Sequence, residues 1–388
     1  MPVRRNGSAS KHGRHVLIIV LTLVLLIACI LVVVKFTRTF ASDRVSPTLN
    51  GSTSPGEPLV SIYAATDNGF ITKITPDGLL SIVAGNGNIS DKPLPGPAVV
   101  SPMHPADIAI NRLGDIFVSD LNGYIERITP DGSLSIFAGN GHQSVIPLPG
   151  PATESSMFPM GVAIDMDGNV IIADAHGYIE KVTPSGTLSI VAGNGKGMWM
   201  DAPVPGPAIN SPMSPVRVAV DAVNNIYIAD NNGYVEKVTP EGVLSIVAGN
   251  GVTDHTPIPG IATNCPLNPS GIAVDGSGNI LVADSGGYIL RITLDGALSI
   301  VAGDGHGSYS VPPSGQATQA SLRPAGVSVD ANGIIYISDG NGYIESVTPL
   351  GVMTIIAGIG RTSQSIPIPG LARESPLFPM GTAIQDYP

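Results

Sequence analysis

Residues 161–193 read GVAIDMDGNVIIADAHGYIEKVTPSGTLSIVAG. Four short segments stand out in it: GVAID, NVIIAD, GYIEKVT and TLSIVAG. Each is rich in Ile, Val or Tyr and too short for a helix, so each is predicted to be a strand. Apolar residues stand side by side in VIIA and SIVA rather than alternating, which suits strands covered on both faces. Between the second and third segments lies His176-Gly177, matched elsewhere by pairs such as Asn68-Gly69, Asn122-Gly123 and Asn341-Gly342. Such pairs tolerate the positive φ angles of tight hairpins, His among them at position 176. Between the third and fourth segments, TPSG places proline second and glycine fourth, as a type I turn favours. The unit is therefore expected to be an antiparallel four-stranded meander.

The unit recurs. AGNG begins at Ala84, Ala138, Ala192 and Ala248 and returns as AGDG at Ala302 and AGIG at Ala357, at intervals of 54, 54, 56, 54 and 55 residues. Self-similarity at this period is the mark of a repeat architecture. Counting strands gives the closure. The body begins near Leu59 with a second strand, LVSIYAAT, and ends with a first strand, FPMGTAI, at 378–384. Joined, the two fragments complete a sixth unit, so the fold class is all-β: a six-bladed β-propeller of four-stranded antiparallel blades. Its ring is closed by the C-terminal strand joining the N-terminal blade.

The string Pro159-x-Gly161-Val162-Ala163-Ile164-Asp165, followed by GNVIIAD, TPSG and AGNG, resembles the NHL repeat, and the resemblance covers residues 59–388. That family includes scaffold and interaction proteins, some RNA binders and a few enzymes such as amidating lyases. Related six-bladed folds include metal-dependent lactonases. The resemblance implies the fold and leaves the activity open.

Composition narrows the classes. Only 13% of the 388 residues are charged and 43% are hydrophobic, which argues for a packed core despite 47 glycines and 35 prolines. Seven of the 19 basic residues precede position 45 with one acid, Asp43, leaving twelve basic and 29 acidic residues beyond, a net of −17. Phosphate backbones bind through clustered Lys and Arg, so nucleic acid is not an expected partner. Residues 16–34 are apolar except for Thr22, close to the roughly 20 needed to span a bilayer as a helix. Four basic residues precede this run and three follow it, favouring a cytoplasmic tail at 1–15. Residues 35–58 read as a flexible linker to the body at 59–388. The expectation is a membrane-anchored propeller outside the cytoplasm, periplasmic or extracellular. A cleaved signal peptide and lipidation at Cys29, within Leu26-Ile27-Ala28-Cys29, are the rival readings of the same segment.

Candidate chemistry is weighed by whether a residue repeats. Asp120, Asp174, Asp230, Asp284 and Asp339 end the second strand in five units, with Thr66 in the sixth. They are expected to accept hydrogen bonds from the following turn, as are Asp165, Asp221, Asp275, Asp330 and Asn111 one turn earlier. Cys265 aligns with Ser101, Ser155, Ser211 and Ser375 and reads as a small-residue position. Symmetry breaks at the start of the first strand, where the glycine of Gly161, Gly271, Gly326 and Gly381 is replaced by Asp107 and Arg217. The residue before the recurring proline also varies: His104, Phe158, Ser214, Asn268, Arg323 and Phe378. These positions share one channel mouth, so Asp107, Arg217, His104, Asn268 and Arg323 are the candidate ligand residues. Mutual charge compensation of Asp107 and Arg217 is the plainer alternative. The interblade loops share a P-x-P-G-x-A segment that should stiffen them, and one loop carries Trp199, a further candidate contact.

The expected function is a binding module for a protein or glycan partner, acting through the interblade-loop face and requiring no cofactor. The alternative is a metal-dependent hydrolase or lyase, lactonase-like or amidating-lyase-like, with a Ca²⁺-type ion at the mouth held in part by Asp107 and Asn268.

Overall fold

The structure is a computed structural model that describes residues 60–385 apart from 144–145, 197–200, 254–255, 308–313 and 362–365. The tail, apolar segment and linker expected at 1–15, 16–34 and 35–58 lie outside the described residues, as does Trp199. Among the described residues no helix is long and apolar enough to cross a membrane.

The body is an all-β propeller of six sheets. In the third blade Pro159–Ile164, Val170–Asp174, Tyr178–Val182 and Thr187–Ala192 pair antiparallel in sequence order, as expected. The blades are not four-stranded, however. Each gains a two-residue fifth strand on its outer edge, here Gly150–Pro151 against Leu188 and Thr187. The stiff P-x-P-G segment lays it there. Proline fits an edge because it lacks only the N–H that would point to solvent, and the pairing shortens an otherwise open strand edge.

The ring closes twice in one blade. Pro379–Gln385 pairs with Ser61–Thr66 on the channel side, and Gly370–Leu371 pairs with Leu80 and Leu79 on the outer side. The C-terminal segment thus clamps the first three strands of the body between its own two contributions. The Tyr63 hydroxyl also donates to Gln385 Oε1 at 3.0 Å.

The side-by-side apolar residues explain how blades stack. Ile171 packs into the cluster shared with the fourth blade, beside Val218, Ile226 and Ile228. Its neighbour Ile172 faces the other way, onto Phe117 and Met157 towards the second blade. Both are fully buried. Six such clusters alternate with six sheets, so the core is a ring of interblade layers rather than one centre.

The turns differ from expectation in one respect. Asp174 pairs with Tyr178, leaving a three-residue loop in which Gly177 alone takes a positive φ, 87°. This is a type I turn followed by a left-handed glycine, not a two-residue hairpin. His176 therefore needs no left-handed backbone; Asn224 is the one such non-glycine residue among those described. The TPSG turn is of the same kind, with Gly186 N–H donating to Thr183 O at 2.8 Å. The AG-G glycines have a packing role. At Gly139, φ is 89° and a Cβ would collide with the Gly123 carbonyl; at Gly141 it would collide with the Tyr124 ring.

Candidate functional site at the channel mouth

Asp107, Gly161, Arg217, Gly271, Gly326 and Gly381 stand at the same position of the six inner strands, where neighbouring strands come close. A Cβ on Gly271 would lie 2.8 Å from Gly326 Cα, and one on Gly161 would lie 2.8 Å from Arg217 Cα. Packing therefore dictates glycine at this level. The two exceptions fill the space that the glycines leave. Asp107 and Arg217, two blades apart, meet across the intervening strand with Arg217 Nε 3.6 Å from Asp107 Oδ2. Arg217 Nη1 donates to the Met160 and Val216 carbonyls at 2.6 and 2.9 Å, and Nη2 donates to the Ala106 carbonyl at 3.0 Å. The Val162 N–H donates to Asp107 Oδ2 at 3.2 Å. Both side chains are buried. Burial pushes the Asp107 carboxyl above its ordinary value, opposed by the Arg217 charge and by the Val162 and Ile108 amides. The plainer reading of this pair, mutual compensation, is what the geometry shows.

Beyond the pair lies a channel of about 260 Å³ with Ile110, Ile164, Val220 and Ile384 among its walls. Its hydroxyls, Ser328 and Thr382, bond to each other at 2.9 Å. Among the described residues Asp107 is the only acid lining the channel, and it faces Arg217. Among the described residues no three His, Cys, Asp or Glu side chains come together in a way that could hold a metal ion. Asn268 does not join Asp107. Its N–H donates to Asp284 Oδ2 at 2.7 Å, and it lines neither this channel nor the recess beside it.

That recess, of about 370 Å³, opens beside the pair and shares Arg217 with the channel. Arg323 and Arg361 line it as well. The Arg361 guanidinium carbon stands 4.3 Å from the centre of the Phe378 ring, within cation–π range. Among the described residues none lining the recess is acidic, in a chain whose net charge is −11. Of the sequence candidates, the structure thus brings Arg217 and Arg323 together. It sets His104 elsewhere, with Nε2 3.6 Å from Asp67 Oδ1. Arg361 was not found by sequence. Its only signal is its column, the residue after AG-G, which reads Asn88, His142, Lys196, Val252, His306 and Arg361 around the ring.

The repeated acids behave as expected. Asp174 Oδ1 accepts from the His176 N–H at 2.7 Å and Oδ2 from the Phe158 N–H at 3.1 Å, so it ties its turn to the inner strand. Asp230 does the same with Asn232 and Ser214. Asp165 accepts from the Asp167 and Asn169 amides, and Asn111 from those of Leu113 and Asp115. Cys265 Sγ takes the place of Ser155 Oγ, accepting from the amide seven residues upstream. His176 Nδ1 is 2.7 Å from Asp174 Oδ1, a hydrogen bond that raises the imidazole pKa.

Four buried acids were not anticipated: Glu126, Glu180, Glu236 and Glu345, all fully buried in third strands. Burial drives each carboxyl far up, and the neighbouring second-strand Asp drives it further. A neutral Glu next to a carboxylate donates its proton to it. Asp120 stands beside Glu126 and Asp230 beside Glu236, so each pair of carboxyls is close enough for one to raise the other. An ionised Glu there would cost several kcal/mol.

No family model matches the chain. It is 27% identical to teneurin-3 of Mus musculus over 336 residues, covering 74% of this chain and 12% of that protein. It is 24% identical to Mus musculus teneurin-1 over 298 residues, covering 64% and 11%. The chain therefore spans only a small part of the length of these relatives. Among solved structures it is similar to a protein of unknown function from Bacteroides thetaiotaomicron, at TM-score 0.55 and 15% identity over 84% of this chain and 85% of that one. It is also similar to an auxiliary nutrient binding protein from Bacteroides ovatus, at TM-score 0.53 and 15% identity over 84% and 72%. These likenesses show the propeller fold.

Proposed function

We propose that this chain is an NHL-type binding module, held at a membrane by its N-terminal apolar segment with the propeller outside the cytoplasm. It recognises a protein or glycan partner through the face where the interblade loops emerge. The observation that carries this reading is the contrast at the mouth. Asp107 and Arg217, at the channel wall, are partnered by each other and by backbone groups, while a recess lined in part by Arg217, Arg323 and Arg361 lies beside them. Concave sites with a few convergent polar groups are where ligands bind. The hydrolase or lyase alternative gains nothing from this geometry, because the one channel acid faces Arg217 rather than an array of oxygen ligands.

The test uses the full chain in lipid nanodiscs against arrays of glycans and of extracellular protein domains. Binders should be lost in Arg323→Ala/Arg361→Ala and retained in Asp131→Ala/Asp295→Ala, which alters exposed turns on the opposite face. Binders lost only in the second variant would overturn the assignment of the face. Protease added to intact cells should digest the propeller; full protection would overturn the location.

A further inference from the structure

We infer that His176 is a proton-operated latch on the loop between the second and third blades. As an imidazolium it fastens Gln143 of that loop to the third blade, and on losing a proton it must release one of its two partners. The inference concerns a device of the fold and stands whichever partner the loop face binds.

The geometry of the ring carries it. His176 Nδ1 is 2.7 Å from Asp174 Oδ1, and Nε2 is 2.5 Å from the Gln143 carbonyl oxygen. A carbonyl can only accept. Asp174 is an acceptor too, since its two oxygens already take the His176 and Phe158 amides. A neutral imidazole has one N–H and serves one of these acceptors, whereas an imidazolium serves both. The Gln143 side chain reaches the other way, its Nε2 donating to the Leu121 carbonyl, so this one residue bridges the turns of two blades.

The preceding loop supplies the comparison. There Asn122, at the turn position of His176, donates from Nδ2 to the Ile89 carbonyl at 3.1 Å, and Ile89 occupies the loop position of Gln143. The two loops are otherwise seated alike. Asn86 and Asn140 Oδ1 accept from the amides of Asn88 and His142, both at 2.9 Å. The Met103 and Met157 amides donate to the Asn88 and His142 carbonyls at 3.0 and 3.1 Å. The turn column reads Asn68, Asn122, His176, Asn232, Gly286 and Asn341, so His176 is its only titratable member.

The charged groups about the ring are Asp174 on its own turn and Glu180 beside Asp174 on the third strand. The inner strand brings the Phe158 ring, 6.3 Å away between centroids, and the loop brings the Gln143 carbonyl next to an exposed His142. The Asp174 bond raises the imidazole most, partial burial opposes it, and the Asp174 charge and the Gln143 carbonyl raise it further. An imidazole raised above its ordinary 6.5 contributes in full below that value and loses its contribution as pH rises through the raised one. The latch therefore holds at low pH and opens on the alkaline side.

The test follows amide hydrogen exchange in the full chain in lipid nanodiscs, with the Met103 amide as the reference inside the same molecule. Met157 exchange relative to Met103, each corrected for its intrinsic pH dependence, should rise about tenfold from about pH 6 to pH 9. That is roughly the worth of one hydrogen bond to a charged group. His176→Asn, which restores the residue of the second blade, should keep the ratio at its low-pH value throughout, and His176→Ala should raise it at both ends. Nitrogen NMR should show both His176 ring nitrogens protonated at about pH 7, where an unperturbed imidazole is mostly neutral. A ratio that stays flat while the ring titrates would overturn the latch, as would a rise that survives in His176→Asn. A ring with one bare nitrogen at pH 7 would overturn it as well.

Discussion

Two sets of buried acids lie within this propeller, and they are stabilised by different chemistry. Glu126, Glu180, Glu236 and Glu345 recur in four blades, each beside an Asp, and burial pushes their carboxyls well above the ordinary value. Asp107 occurs once and faces the Arg217 cation together with backbone amides. The four glutamates stand in four of the six blades, each beside the second-strand Asp that, as at Asp174 and Asp230, ties its turn to the inner strand. The single one belongs to one place in the ring, where it meets Arg217 across the intervening strand. In a repeat protein the recurrence of a charged residue thus separates packing roles from roles that belong to one place.

The comparison breaks most severely if the ring itself opens. Deleting residues 370–388 removes both the inner and the outer closing strand of one blade, and cooperative thermal unfolding should disappear. An unchanged melting transition would refute the double closure. Next in size is the mouth. Arg217→Ala leaves a buried carboxyl facing the space of its lost partner and should cost about 3–5 kcal/mol in urea unfolding. Asp107→Gly/Arg217→Gly, which restores the glycine of the other blades, should cost clearly less than Arg217→Ala alone. A double variant as unstable as the single would mean that the pair does more than neutralise itself.

The repeated acids should respond to pH instead. Their folded pKa values lie above the ordinary 4.5, so their stabilising contribution is complete below about pH 4.5 and is lost as pH rises through the raised values. His176, raised by Asp174, acts in the same direction about its own ordinary 6.5, and Asp339, pushed up to about 6 by burial, adds to the trend. Stability should therefore fall between pH 5 and pH 8. Replacing all four glutamates with glutamine should flatten that slope, since the amide cannot ionise. A slope unchanged in that variant would contradict the neutral state. Smallest of all, Arg361→Ala should shift stability by no more than about 0.5 kcal/mol, as expected for an exposed residue away from the core.

Much of the fold is legible in the sequence because six copies of one pattern reinforce one another. Strand order, blade number and the turn role of Asp174 all follow from the repeat. The fifth strand is not legible, because two residues such as Gly150–Pro151 carry no periodicity. Glu180 was hidden for a different reason. A charged residue in YIEKV reads as a solvated face, yet a blade stacked on both sides leaves that strand no solvated face at Glu180. At the mouth, Asp107, Arg217 and Arg323 were visible as breaks in symmetry. Arg361 was not, because its column holds Asn, His, Lys, Val, His and Arg and so offers no regularity to break. Whether His104 and Asn268 join the others depends on side-chain direction, which spacing does not encode.

The most direct test of the central claim, that the loop-face recess binds while the repeated positions only build, uses the methionines as reporters. Met160 and Met380 line the recess, Met157 and Met213 are buried in interblade clusters, and Met166 is exposed on the opposite face. Methyl NMR spectra of the full chain would be recorded with and without the tightest array-selected partner. The account predicts shifts at Met160 and Met380 with Met157, Met213 and Met166 unmoved; shifts at Met166 with the recess methyls silent would contradict it.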